Sequence, residues 1–462
     1  MKRYVLTVEH PDQIPANPVE QAGFELRLDR MTPDQALMCL QRAGGQNCLA
    51  TYRSIPHFGH ADPSTRASIG WPLRLNLAQQ GCAAIDIEWD EPELKQKIQA
   101  IQALGKKVVL SNHSRTQTTL PIDAPILGLL GKTDCLKWIV TGENTAFFQN
   151  QRQAYAERWP CQMVYFAMGG DFWASRILSL LYGAPFTFVR ADDQPALAPG
   201  LMSLSQIQSL DLPNIGFEEV QLFAVIGLPI GHSRSPFWHT PRLRESNPDS
   251  LLLPLPCASA ADWELLQHSF PELRGSAITK PMKEIVARYL SDTHPLGAVN
   301  TWIKQKSQEF AANTDFEAIK SLLTPFKSHA TVRILGFGGL GKAAAQAALD
   351  MGFRVQVCNR TRPNINLIDS RLELVDWQNR HSPGAEILIQ CTSVGMEPEP
   401  ESSPLDEIPS DCLVFFETIY HPLETRILQQ AQRSGIQTIS GTDLFEAQAA
   451  IQNDWFKNAL AN

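Results

Sequence analysis

No apolar run in this sequence approaches the roughly 20 residues that a membrane-spanning helix requires, which argues against a helical membrane protein. No Cys-x-x-Cys pair occurs among the nine cysteines, and their number is odd, which suits reduced thiols better than a disulfide framework. No Lys/Arg cluster breaks a formal net charge of −8, so nucleic acid is not an expected partner. Internal repeats and low-complexity tracts are also missing. After Lys2 and Arg3 only Tyr4–Val8 is apolar before Glu9, too short for a signal peptide, and the expected location is the cytoplasm. What is present is a chain of 462 residues, 44% hydrophobic and 19% charged. That describes a water-soluble globular protein of two or three domains, with neither nucleic acid nor membrane as an expected partner.

From Tyr4 to Leu210 short β-rich runs alternate with amphipathic stretches. The expected strands are Tyr4–Val8, Phe24–Leu28, Cys48–Thr51, Ala84–Trp89, Lys107–Ser111, Cys135–Val140, Met163–Ala167 and Phe186–Val189. Between them lie segments such as Pro92–Leu104, with Leu94, Ile98, Ile101 and Leu104 on one face. Eight such units are the count for a (β/α)8 barrel, whose chemistry sits at the C-terminal ends of the strands. Those ends carry Glu25, Arg27, Asp29, Arg53, Asp86, Glu88, His113 and Lys137. Lys137 lies inside an apolar strand, where an ammonium is costly to bury. A desolvated lysine becomes an amine nucleophile able to form a Schiff base with a ketone, and His113 could accept a proton near neutral pH. The alternatives are a lysine whose head reaches solvent and an ordinary loop histidine. His57 and His60 have no third ligand, so no metal is expected.

Asp211–Gly216 is polar and aperiodic and predicts a short join. Beyond it, the run Phe223–Ile226 ends in Gly-Leu-Pro and delivers two hydroxyls, Ser233 and Ser235. Further strand ends supply Thr279 and Lys283, Asn300, and Asp315. Hydroxyls, an amide, one lysine and one aspartate suit a small polyhydroxylated acid, with Lys283 and Asp315 able to move a proton as a pair. The run Thr331–Leu335 then leads into Gly336-Phe337-Gly338-Gly339-Leu340-Gly341 and a helix expected over Lys342–Met351, the strand–loop–helix setting of a dinucleotide site. The next strand ends at Asn359-Arg360-Thr361. A guanidinium there, in place of an acidic residue, suits a 2′-phosphate and hence NADP.

At this point the motifs carry a resemblance. E-L-R-L-D at 25–29, Thr-Tyr-Arg at 51–53, I-D-I-E at 85–88, S-N-H-S at 111–114, Asp134 with Lys137, Met-Gly and Ser-Arg within 168–176 and Ala-Pro-Gly at 198–200 resemble type I 3-dehydroquinate dehydratase. The resemblance implies an imine between Lys137 and the ring ketone of 3-dehydroquinate, and His113 as the group that removes the adjacent proton. It also implies Arg176 on the substrate carboxylate, with Glu25, Arg27 and Arg53 framing the ring. Three positions depart from that pattern: His57 where a glutamate is usual, and Leu197 and Leu201 where serine and glutamine are usual. Weaker or altered binding is the expected effect.

Residues 221–462 resemble shikimate dehydrogenase. This implies Ser233, Ser235, Thr279, Asn300, Asp315, Tyr420 and Gln448 on shikimate and Lys283 with Asp315 as the catalytic pair. It also implies Gly336, Gly338, Gly339, Gly341, Asn359, Arg360, Thr361, Met396 and Gly441 around NADP. Ala277, Thr240 and Lys342 depart from the family pattern. The implied organisation is a barrel over 1–210, a linker over 211–220, a shikimate-binding α/β domain over 221–325 completed by 440–462, and a Rossmann-like NADP domain over 326–439. The two activities would be consecutive: dehydration to 3-dehydroshikimate, then reduction by NADPH to shikimate. Three rivals stay open: a degenerate barrel scaffold beside a working dehydrogenase, a regulatory NADP-binding module without turnover, and quinate in place of shikimate.

Overall fold

Alternation of apolar and polar residues over runs of three to eight residues produces eight parallel strands in the first half. They are β1 (Tyr4–Val8), β2 (Ala22–Arg27), β3 (Cys48–Thr51), β4 (Ala84–Glu88), β5 (Lys107–Ser114), β6 (Cys135–Thr141), β7 (Gln162–Met168) and β8 (Thr187–Val189). Each pairs with its sequence neighbour from β1 to β7, and β8 returns to lie beside β1. This computed structural model describes residues 2–15, 22–114, 120, 124–212, 215–290, 297–306, 308–326, 329–362 and 369–460. Pro213 and Asn214 of the expected join lie outside them. The chain divides into two units, Met1–Glu272 and Leu273–Asn462.

In the barrel, the two-residue period sorts inward side chains into layers. An apolar layer holds Val5, Leu49, Ala84, Val109, Cys135, Val164 and Phe186. One step further along the same strands come Thr7, Glu25, Thr51, Asp86, Ser111 and Lys137. The polar chemistry is thus raised on an apolar floor.

Several boundaries differ from those expected. β2 ends at Arg27 because Leu28–Arg30 coils into a 3₁₀ turn, and β4 stops at Glu88. β5 runs on to Ser114, so His113 belongs to a strand rather than to a loop. The helix after β4 spans Leu94–Ala103, entered through Glu93 at φ 56°. Its buried face keeps Ile98 and Ile101, but Leu104 falls past the last turn and is 38% exposed.

The first unit continues with β9 (Gln221–Gly227), a helix Ser235–Arg244, β10 (Ser250–Pro256), which pairs parallel with β9, and a helix Ala260–Ser269. In the second unit β11 (Gly275–Ile278), β12 (Thr301–Gln305) and β13 (Gln308–Ala312) pair antiparallel. There follow β14 (Thr331–Leu335), β15 (Arg354–Cys358), β16 (Leu372–Val375), β17 (Ile387–Gln390), β18 (Val414–Glu417) and β19 (Gln437–Ile439). These six form a parallel sheet of order β16-β15-β14-β17-β18-β19, with its switch point between β14 and β17. Ligands of open α/β sheets bind in the crevice at that point. The helix expected from Lys342 begins earlier, at Gly339. The closing helix spans Gly441–Leu460 and carries Gln448 on one of its faces. No helix among the described residues is long and apolar enough to cross a membrane.

Candidate functional site

The mouth of the barrel holds a cavity open to solvent. Glu25, Arg27, Arg53, His57, His113, Lys137, Arg176, Leu197 and Leu201 all line it, together with Thr7, Phe166 and Phe188. Lys137 Nζ lies 3.5 Å from Glu25 Oε1, 3.4 Å from Asp86 Oδ2 and 4.2 Å from the centroid of the Phe188 ring. Two carboxylates favour the ammonium, whereas burial and the nearby Arg53 disfavour it. Burial is the largest influence and the Lys137 pKa is lowered from its ordinary 10.5. Glu25 is held by Thr7 and Thr51 hydroxyls, each at 3.0 Å, which fixes it against the amine.

His113 is half-buried, and its Nδ1 is shielded from solvent with no hydrogen-bond partner within the described residues. Burial, then the cationic Arg53 and Lys137, hold its pKa well below the usual imidazole range, so the ring is neutral at pH 7 and able to take a proton. Its backbone N–H donates to His57 Nδ1 at 3.2 Å. With Nδ1 accepting, the His57 proton resides on Nε2, 3.2 Å from Asp90 Oδ1. The substitution at 57 therefore places an imidazole, oriented by Asp90, edge-on to His113 at 6.3 Å.

Arg176, on the helix Ala174–Leu181, is buried over the face of Phe166 at 4.1 Å. No carboxylate among the described residues pairs with it, and burial pushes its pKa down to about 9, which leaves it charged at neutral pH. A buried guanidinium without a counter-ion calls for an anionic ligand. Arg53 is different: it is committed to Asp86 at 2.8 Å, Ser111 at 2.8 Å and Glu88 at 3.4 Å. Arg27 makes a two-pronged pair with Asp29 at 2.9 and 3.0 Å.

His57, Glu88 and Asp90 are near enough to one another to suggest a metal centre. Arg66 Nη1, however, already sits 2.5 Å from Glu88 Oε2 and 2.6 Å from Asp90 Oδ1. A fixed cation fills the role, and a divalent ion would be repelled. Sequence reasoning missed Arg66, Asp90 and Thr7. The signal available for Thr7 was its inward register two residues after Val5.

Ser233 and Ser235 belong to the first unit, at the turn into the helix Ser235–Arg244. In the second unit Lys283 Nζ meets Asp315 Oδ2 at 2.5 Å. Lys283 stands in the first turn of the helix Met282–Tyr289 and Asp315 in the first turn of Thr314–Leu323, where the helix N-terminus favours a carboxylate. Asn300 Oδ1 accepts from Thr314 N at 2.6 Å, and Asn300 Nδ2 faces Gln448 Oε1 at 3.4 Å. Gln452, one turn beyond Gln448, donates to Asn300 O at 2.7 Å. It was missed because nothing in a polar helix face distinguishes it. Thr279 is half-buried, its carbonyl starting the lysine helix by accepting from Met282 N at 2.8 Å. The Tyr420 ring packs on Phe445 at 5.3 Å.

At the switch point the glycine loop has the shape a pyrophosphate needs. Gly336 holds φ 93°, and a Cβ there would lie 2.9 Å from Thr392 Cγ2. A Cβ on Gly341 would lie 2.2 Å from the Gly336 carbonyl oxygen, so both positions require glycine. Gly338, by contrast, faces open space at the N-cap of the helix Gly339–Asp350, and a Cβ on Gly339 would touch Lys283 Cδ at 4.0 Å. Phe337 N donates to Asn359 Oδ1 at 3.1 Å, which ties the end of β15 to this loop. Arg360 and Thr361 are exposed beside it. Met396 is 37% exposed, and Gly441 opens the last helix, where a Cβ would lie 2.1 Å from Ile419 O. This donor set fits NADP.

Residues 9–210 match the family model of type I 3-dehydroquinase. Over 94% of its length the chain is 28% identical to the bifunctional 3-dehydroquinate dehydratase/shikimate dehydrogenase, chloroplastic, of Arabidopsis thaliana, of which it covers 77%. Over 52% of its length it is 31% identical to the shikimate dehydrogenase (NADP(+)) of Bacillus mycoides, of which it covers 94%. Among solved structures, the dehydroquinate dehydratase and shikimate dehydrogenase of S. pombe AroM aligns with all of this chain and 98% of that one, at 19% identity and a TM-score of 0.39. The shikimate 5-dehydrogenase of Thermus thermophilus covers 52% of this chain, with 98% of its own length aligned, at 26% identity and a TM-score of 0.44. By sequence, then, the chain belongs to the shikimate dehydrogenase family in its second half and carries a type I 3-dehydroquinase domain in its first.

Proposed function

We infer that this chain catalyses two consecutive steps of the shikimate pathway: dehydration of 3-dehydroquinate to 3-dehydroshikimate, and NADPH-dependent reduction of that ketone to shikimate. One observation carries the first step. A buried amine with a lowered pKa, a neutral imidazole with a free nitrogen and a guanidinium lacking a carboxylate face the same cavity.

Lys137 Nζ would add to the ring ketone and release water, giving an imine. His113 would take the adjacent ring proton, the β-hydroxyl would leave as water, and hydrolysis of the imine would return the free amine. Arg176 would hold the substrate carboxylate, with Glu25, Arg27 and Arg53 at the ring. Leu197 and Leu201 offer no hydrogen bond, so tight substrate binding falls to Arg176.

For the second step, Ser233, Ser235, Thr279, Asn300, Tyr420 and Gln448 are the proposed shikimate contacts. Lys283, held by Asp315, would supply the proton that the new hydroxyl needs. NADP, when bound along Gly336–Gly341, Asn359–Thr361, Met396 and Gly441, supplies the hydride. The functional domains assigned are 1–210, 221–325 with 440–462, and 326–439, joined by 211–220, and the assigned location is the cytoplasm.

One assay tests both halves. The chain is given 3-dehydroquinate and NADPH, and enone formation and NADPH loss are followed together. The expected result is a transient enone followed by stoichiometric NADPH oxidation. Enone without oxidation, or oxidation only when 3-dehydroshikimate is added directly, would remove one of the two activities. A separate variant tests the cofactor. Arg360→Ala is expected to raise KM for NADP about tenfold, the scale of one charge-assisted contact, and to leave KM for NAD unchanged. Equal effects on both cofactors would remove Arg360 from the 2′-phosphate.

A further inference from the structure

The loop between β7 and the helix Ala174–Leu181 touches the turn that carries Ser233 and Ser235, and both lie in the first unit. Asp171 Oδ1 accepts hydrogen bonds from the backbone N–H groups of Ile230 and Gly231, each at 2.6 Å. Trp173 Nε1 donates to Gly231 O at 3.2 Å, and its ring stacks on Phe237 at 5.7 Å and 22°. Gly231 comes so near the barrel loop that a Cβ there would lie 2.2 Å from Gly170 O, so only glycine permits the approach. No lysine or arginine among the described residues pairs with Asp171, so this carboxylate is spent on the two amides.

The clamped turn is closed on itself. Ser233 N donates to Ile230 O at 2.9 Å, and Ser235 N to Ser233 Oγ at 3.3 Å. Fixing Ile230 and Gly231 therefore fixes where both hydroxyls stand. The other end of the same barrel loop starts the helix of Arg176, whose N–H donates to Trp173 O at 3.1 Å.

Resting on the shikimate assignment made above, we propose that Asp171 is a positioning residue for the dehydrogenase. Through Ile230 and Gly231 it holds Ser233 and Ser235 in place, so that the dehydratase barrel supplies part of the support of the shikimate site. A carboxylate that accepts two part-buried backbone N–H bonds is among the stronger hydrogen-bonding arrangements. Without it the turn must be ordered anew each time substrate binds, which weakens binding and leaves the hydride step intact.

The test is steady-state oxidation of shikimate by NADP with the full chain. Asp171→Ala is expected to raise KM for shikimate about tenfold, with kcat within about threefold and KM for NADP within about twofold of wild type. Asp171→Asn keeps an acceptor oxygen in the same place and is expected to recover most of the loss. Trp173→Phe keeps the stack, drops only the indole N–H, and is expected to raise the same KM about threefold. It also stands in if the alanine variant does not fold. A wild-type KM for shikimate in both Asp171→Ala and Trp173→Phe would overturn the proposal. So would equal rises in both KM values, which mark general loosening. A wild-type chain that does not oxidise shikimate at all would sink the shikimate assignment itself, and the proposal with it.

Discussion

Replacement of Lys137 by alanine is expected to reduce dehydratase kcat by about 10³-fold or more, because covalent catalysis loses the amine that forms the imine. NADPH oxidation with 3-dehydroshikimate should continue, since Lys137 lies in the barrel and the dehydrogenase pair does not use it. The loss is chemical rather than a matter of charge. Lys137→Arg would keep a cation against Glu25 and Asp86, yet it should be as inactive as alanine, because a guanidinium forms no imine. Substrate depletion at saturating 3-dehydroquinate reads both variants. Appreciable turnover in either would remove Lys137 from the reaction.

The balance at Lys137 also sets a pH signature. Burial outweighs the attraction of Glu25 and Asp86, so the amine is free at lower pH than an exposed lysine would be. The acid limb of dehydratase kcat/KM should therefore lie below the ordinary lysine range. Activity falls as protonation of the amine sets in.

The second large effect is expected at Lys283. Lys283→Ala should lower dehydrogenase kcat by about 10²- to 10⁴-fold, the usual contribution of a positioned proton donor, with dehydratase turnover kept. Asp315→Asn should fall in the same direction, because the amide no longer holds the ammonium at 2.5 Å. If the two residues act as a unit, the double variant should lose little more than the worse single variant. Stopped-flow reduction of 3-dehydroshikimate by NADPH separates the hydride step from product release. Additive losses would mean that the pair does not share one proton.

Much of this could be read from the sequence because the signals were local. Lys137 stood out as a charge inside the apolar run of β6, and the run from β14 through Gly336–Gly341 into a helix carried its own geometry. The Lys283–Asp315 pair was read from residue type alone, and the structure brings the two together. What escaped detection depended on distant chain segments. Arg66 fills the gap between Glu88 and Asp90 from a helix more than twenty positions away, and its short π-helical setting has no clear sequence mark. The Asp171 clamp joins positions nearly sixty apart and is written in backbone N–H groups, which every residue but proline possesses. Leu104 failed as a core residue because helix periodicity does not reveal where the last turn ends.

The central claim is a covalent bond between this chain and its substrate. It is tested most directly by adding sodium borohydride to the chain during turnover of 3-dehydroquinate and measuring the peptide masses. The account predicts one reduced adduct, on the peptide containing Lys137, absent without substrate and absent in Lys137→Ala. An unmodified Lys137 peptide from chain that is visibly forming enone, or an adduct on another lysine, would contradict it.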